Sequence, residues 1–246
     1  MITTTIVSLL PERLNSNGDA ENAGVLAKRV ELRGGTASVV AAATPADVPD
    51  EVQAVVIGSC DDPSVEGVLA ELAAFRPQLV AWMEAGVPVL AVSNGWKLLG
   101  ERLEVRRGEW VDGLGIISGE SPLRDQRASD DLVADTTAGL RLVGYENHAR
   151  DWTPGVGVQP LGTAVHGRGN GNGSEGASVG AFIGTHLHGP VLAKNPELAD
   201  RLLRFPAASA ASSAAGHDGA SSDERLTVLD DYAAKARAQI LAGLSL

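Results

Sequence analysis

Short apolar runs rich in β-branched residues alternate along the chain with stretches whose apolar positions recur at helical spacing. "TTTIVSLL" (3–10), "ASVVAAA" (37–43), "EVQAVVIGS" (51–59) and "VPVLAVS" (87–93) read as strands. After the first of them, "AENAGVLAKRVELRG" puts Ala23, Val25, Leu26, Val30 and Leu32 mainly on one stripe and stops at Gly34 and Gly35, which predicts a helix. "VEGVLAELAAFRPQLVAWMEAG" (65–86) predicts a helix or a helix pair interrupted by Pro77. This alternation predicts an α/β fold, a parallel sheet with helices on both faces, and ligands then gather at the carboxyl ends of the strands. The loops after strands one, three and four therefore hold the chemistry.

From Trp110 to Gly180 glycines are frequent and the strand-like runs shorten to "LRLVGYENH", "GVQPLGTAVHG" and "VGAFIGTHL", which predicts an antiparallel extension in the second half. "HGRGNGNGSEGAS" (166–178) reads as a flexible loop; its glycines lack the strand-turn-helix setting of a dinucleotide fingerprint. "PAASAASSAAGHDGASSDE" is a low-complexity linker, so the chain divides into a domain over 1–205, a linker over 206–224 and an amphipathic C-terminal helix over 225–246. In that helix Leu226, Leu229, Ala233, Ala236, Ile240 and Leu244 form a stripe expected to pack on its own domain.

A chain of 246 residues, 44% hydrophobic, suits one α/β domain with an appendage. The net charge of -11, with no Lys/Arg cluster, argues against a nucleic-acid partner. The single cysteine, Cys60, makes no internal disulfide, "MITTTIVSLL" has neither the basic flank nor the apolar length of a signal, and no run approaches a membrane span. A cytoplasmic protein without membrane insertion is expected. The five histidines are scattered, "HLH" alone is too small for a metal site, and no Walker-type glycine loop is present, so no metal, ATP or other cofactor is expected.

"AVSNGWKLLG" (91–100) carries the candidate chemistry. Ser93 stands where a strand turns into a helix, a position exposed at the active edge of an α/β sheet, where the following amides and the helix N-terminus face developing negative charge. The plainer alternative is a helix N-cap, a role that serine fills well. Spacing leaves both open.

"GVPVLAVSNGWKLLG", "LVGYENHARDWTPGVGVQPLG", "GNGNGSEGAS" and "GTHLHGPVLAKNPELADRLL" together resemble the cobyric-acid-synthase-like (CobB/CobQ-like) class I glutamine amidotransferases. More narrowly they resemble the glutamine-handling subunits of lipid II isoglutaminyl synthases, in collinear order from about Leu9 to Leu203. The resemblance implies a flavodoxin-like amidotransferase domain that acts on L-glutamine. It also implies a heterodimeric partner resembling a Mur ligase, which uses ATP to activate the α-carboxyl of D-glutamate in the peptidoglycan stem peptide. His188 carries over as the proton shuttle. The nucleophilic cysteine does not: where the family has Cys-Gly-Gly-Tyr-Gln this chain has Ser93, Asn94, Gly95, Trp96 and Lys97. A thiol ionises near neutrality beside a helix N-terminus or a histidine, whereas a serine hydroxyl needs a well-placed base.

Cys60 is not a substitute, because "VIGSCDDPS" aligns with the family's glycine-rich loop after strand three, whose backbone helps to hold the oxyanion. Gly58 and Asp62 remain there, while Ser59 and Cys60 replace glycines. Asp19 matches the aspartate of the family's Asn-x-x-Gly-Asp, and Arg127 falls where the family places an arginine on the glutamine α-carboxylate; Gly58 and Asn94 complete the implied substrate-binding set. "GYENH" reads as structural. Three functions stay open: an amidotransferase subunit releasing ammonia through Ser93 and His188, a catalytically silent subunit of the same ligase, and a serine hydrolase of another small amide.

Overall fold

The computed structural model describes residues 3–204 and 224–246. Its first half is the expected alternation: β1 (Thr3–Leu9), α1 (Asn22–Leu32), β2 (Thr36–Ala42), β3 (Ala54–Ile57), α2 (Val65–Leu72), α3 (Arg76–Glu84), β4 (Val89–Val92) and the one-turn α4 (Asn94–Lys97). Pro77 lies in the first turn of α3, where its missing N–H costs nothing, so the 65–86 run is two helices. The second half adds β5 (Arg102–Arg106), β6 (Glu109–Asp112), β7 (Gly119–Ser121), β8 (Leu123–Thr136), β9 (Arg141–Arg150), β10 (Thr153–Pro154), β11 (Gly162–His166), β12 (Ser174–Glu175), β13 (Ala177–Val179), β14 (Phe182–Thr185) and β15 (Leu187–His188). Three helices follow: α5 (Val191–Lys194), α6 (Pro196–Arg204) and α7 (Glu224–Gly243).

The main sheet has the order β13-β14-β4-β3-β1-β2, parallel except for β13. Side chains alternate across it. Val7, Leu9, Val55, Ile57, Val89 and Ala91 pack with Val65, Val68, Leu72, Phe75 and Leu79 of the α2–α3 side, while Ile6, Ala54, Val56, Leu90 and Ile183 pack with α1, α5 and α6. Each such fully buried Val or Leu contributes about 1.5–3 kcal/mol relative to exposure.

Two expectations about the second half are corrected. The strand in "VGAFIGTHL" does not belong to the extension: β14 runs parallel to β4 within the main sheet, with Thr185 opposite Val92. Residues 166–178 are not a flexible loop, because Asn170 and Glu175 are buried and β12 and β13 pair with β11 and β14. The extension itself is the sheet β12-β11-β8-β9-β15, antiparallel throughout, beside a smaller sheet β10-β7-β5-β6.

The linker expected over 206–224 lies outside the described residues except for Glu224, which opens α7. That helix packs on the domain, but only Leu226 and Ala233 of its expected stripe are buried, and Leu229 is 46% exposed. Ion pairs hold it instead: Arg29 of α1 reaches Asp230 at 2.6 Å, and Arg237 reaches Glu197 of α6 at 2.6 Å. Among the described residues no helix is long and apolar enough to cross a membrane.

Candidate active site

Four strand ends meet at the carboxyl edge of the sheet. β4 delivers Ser93 with φ 47° and ψ −119°, a left-handed conformation that costs a residue with a Cβ about 1–3 kcal/mol. Its N–H donates to the Thr185 carbonyl at 2.8 Å, and its own carbonyl accepts from Trp96 and Lys97 as α4 begins. Ser93 occupies the N-cap position without a capping hydrogen bond from its side chain, so capping does not explain this serine. The tight turn depends on Gly95 and Gly58: a Cβ on the first would collide with the Gly58 carbonyl oxygen, and one on the second with that of Leu14. Gly58 thus serves close packing of the loops.

The loops after β1 and β14 supply a base. Asp19 is fully buried; its Oδ2 lies 2.8 Å from His188 Nδ1, and its Oδ1 accepts the Gly189 N–H at 3.0 Å. Asn17 Nδ2 is 3.2 Å from the same ring nitrogen. A carboxylate at Nδ1 selects the Nδ1–H tautomer and leaves the lone pair on Nε2. That atom is buried and has no hydrogen-bond partner among the described residues. The aspartate–histidine contact is one of the two that a nucleophilic triad uses; among the described residues no hydrogen bond joins Ser93 to His188 Nε2.

The opposite side is already satisfied from within. The Asn94 N–H, the amide that follows the elbow, donates to Ser59 Oγ at 3.3 Å, and Asn94 Nδ2 donates to the Cys60 carbonyl at 3.0 Å and to Asp62 Oδ1 at 3.2 Å. Arg127 does reach this edge: its Nη1 donates to Asp62 Oδ2 at 2.6 Å and its Nε to Asn147 Oδ1 at 2.6 Å. Arg150, nearly inaccessible, also binds Asp62. Burial opposes ionisation of Asp62, but Arg150 and the donors Arg127 and Asn94 outweigh it and hold the carboxyl below its ordinary value. Burial, then the charges of Asp61 and Asp62, pushes the Cys60 thiol up to about 12, which makes it a poor nucleophile.

Behind the elbow lies a polar core. Two histidines that lie far apart in sequence are brought together: the rings of His148 and His186 stand 4.1 Å apart. Glu175 accepts from Thr185 Oγ1 at 2.7 Å and from the His186 N–H at 2.8 Å, and it contacts His186 Nδ1 at 2.8 Å. Glu146 contacts His148 Nε2 at 3.0 Å and accepts the Arg168 and Gly169 N–H groups. "GYENH" is therefore part of the shell that fixes the site. Lys97 is fully buried in this core and donates to the Arg150 carbonyl at 2.7 Å. Burial draws Lys97 and His186 well below their ordinary values and His148 down to about 2, and raises Glu175 to about 7.

Residues 5–196 match the CobB/CobQ-like glutamine amidotransferase domain. The chain belongs to that family. It is similar to the GatD subunit of the glutamine-hydrolysing lipid II isoglutaminyl synthase of Staphylococcus aureus, 30% identical over 202 residues that cover 81% of this chain and 82% of the relative. It is also similar to the GatD subunit of Streptococcus pneumoniae, 29% identical over 119 residues covering 47% of this chain and 46% of that one. A crystal structure of a glutamine amidotransferase superposes with a TM-score of 0.56 at 18% identity, covering 80% of this chain and 96% of the other, and the likeness establishes the shared fold.

Of the residues singled out in the sequence of this amidotransferase domain, Asp19 and His188 form one hydrogen-bonded pair, and Ser59, Asn94, Cys60 and Arg127 form one cluster through Asp62. Arg150, Glu146 and Glu175 were missed as parts of this machinery. For the first two a signal existed: Glu146, His148 and Arg150 alternate along β9, which puts three polar side chains on its buried face.

Proposed function

We propose that this chain is the glutamine-handling subunit of a lipid II isoglutaminyl synthase, with Ser93 as the nucleophile in place of the family's cysteine. The observation that carries the reading is the Asp19–His188 pair, with Nε2 open, at the sheet end where Ser93 is held in a strained turn. Ser93 Oγ attacks the side-chain amide carbon of L-glutamine as His188 Nε2 takes its proton. The tetrahedral oxyanion draws the Asn94 N–H away from Ser59 Oγ. Collapse breaks the C–N bond, His188 returns the proton to the leaving nitrogen, and ammonia departs from a γ-glutamyl ester. Water, deprotonated by His188, then hydrolyses the ester to glutamate and restores Ser93. Arg127 exchanges Asp62 for the glutamine α-carboxylate, a match for its planar fork. Ammonia passes to a Mur-ligase-like partner that has activated the D-glutamate carboxyl of the stem peptide on the cytoplasmic side.

A second reading, a subunit that keeps the partner surface but has lost glutaminase chemistry, is favoured by the Ser59 Oγ contact on the Asn94 amide, which fills the oxyanion position. Glutamate release from L-glutamine by the purified chain, alone and with the ligase, separates them. Release abolished in Ser93→Ala and in His188→Ala supports the serine nucleophile. No release from the native chain with or without the ligase, together with stable ligase binding, supports the silent subunit and overturns the first reading.

A further inference from the structure

A cavity opens beside the site described above. It has a volume of about 400 Å³ and is bordered by Arg124, Arg127 and Arg168 together with Asp125, Gln126 and Asp151; Ser93, Asn94 and His188 do not line it. Three guanidinium groups converge here in a chain whose net charge is -11.

They differ in what they already hold. Arg127 has its Nε and Nη1 on Asn147 and Asp62. Arg124, only 14% exposed, binds Asp151 through Nη1 and the Gln126 carbonyl through Nε at 3.2 Å, which leaves Nη2. Arg168 has no ion pair among the described residues. Its backbone is nonetheless fixed, because its N–H donates to the fully buried Glu146 at 2.5 Å and the next N–H to the same carboxylate at 2.9 Å. The loop is thus anchored with an unneutralised cation at its tip. Burial, and then the charge of Arg168, holds the Arg124 guanidinium below its ordinary value. Like charges facing one another in a partly desolvated cavity are a cost that an intervening anion removes.

We propose that this cleft binds a small oxyanion-bearing molecule whose carboxylate or phosphate bridges Arg124 Nη2 and the Arg168 guanidinium. The preferred ligand class is an amino dicarboxylate such as L-glutamate. Its ammonium has Asp151 and Asp125 at the rim, while Arg127 stays with Asp62 and Asn147 on the side of the site described above. That choice of class rests on the function proposed above, which generates glutamate next to the cleft; the oxyanion site itself rests on the arginines alone.

The test uses the full-length Ser93→Ala chain, so that binding is read without chemistry. L-Glutamate and, separately, inorganic phosphate are titrated by calorimetry and by amide-resolved NMR. The expected result is saturable binding with shifts at the Arg124, Arg168 and Gly169 amides, weakened at least tenfold by Arg168→Ala and less by Arg168→Lys, which keeps the charge but loses the fork. Phosphate binding with the same dependence and no glutamate binding keeps the oxyanion site and removes the amino-acid class. Binding that is unchanged in Arg168→Ala, shifts confined to Ser59 and Asn94, or no binding of either anion overturns the proposal. Because Arg168 is exposed, its substitution leaves the fold intact, and none of these outcomes depends on glutamine hydrolysis.

Discussion

At the ends of β1 and β15 the site presents an unused acceptor: Asp19 holds one nitrogen of His188 and the other is left open. At the ends of β3 and β4 the donors that would face a substrate are taken by the protein, the Asn94 amide by Ser59 and the Arg127 fork by Asp62 and Asn147. On the proposed reading one half serves proton transfer, while the other is closed on itself. At the Asn94 amide the difference lies in one residue, since a glycine at position 59 would have no hydroxyl to offer. Catalysis needs both halves, because the oxyanion donors contribute as much as a base in acyl transfer.

The comparison can be broken most severely at the base. Asp19→Asn in a Ser59→Gly chain is expected to lower kcat for glutamate release by about 10⁴-fold, as the wrong tautomer of His188 is then favoured. Unchanged turnover would remove the orienting role of Asp19. The two halves also differ in how they treat sulfur. In Ser93→Cys, iodoacetamide at pH 7.5 should label position 93 at least about a hundredfold faster than Cys60, whose thiol is buried and raised to about 12. Equal labelling, read by peptide mass spectrometry, would count against the elbow as the reactive side.

The polar core behind the elbow gives a smaller, pH-dependent effect. His148 and His186 are held neutral in the fold, so their contribution is present above the unfolded pKa of about 6.5 and is lost as pH falls. Glu175, raised to about 7, has the opposite sign, its contribution being lost as pH rises toward 7. Between about pH 4.5 and 6.5 two imidazoles outweigh one carboxyl. The melting temperature should therefore fall as pH drops through this window, and His148→Gln should flatten the slope. A melting temperature that rises on acidification would show that Glu175 dominates.

Much of this was legible in the sequence, for reasons that also mark where it stopped. The parallel strands announce themselves as β-branched runs such as "AVVI" and "VLAV", buried on both faces. The elbow at Ser93 follows from the strand-to-helix switch after Val92. The parallel pairing of β14 with β4 was not legible, because register between segments so far apart in the chain, Val89 opposite Phe182, is not encoded in either one. The glycine-rich stretch before Glu175 looks mobile in composition, yet its carboxylate is buried by long-range hydrogen bonds to Thr185 and His186. In α7 an apolar stripe predicts packing, but Arg29 and Arg237 make ion pairs that decide which face turns inward. The contact of Ser59 on the Asn94 amide likewise joins residues from two different loops, and only the fold brings them together.

The most direct measurement of the account is the rate of glutamate release by Ser59→Gly beside the native chain, each with saturating L-glutamine and the ligase partner. Removing the Ser59 hydroxyl frees the Asn94 N–H for the oxyanion, and the rate is expected to rise at least about tenfold, since a single oxyanion donor is worth more than that in related chemistry. A rate no higher than that of the native chain would contradict the claim that the oxyanion half of this site is held closed by its own serine.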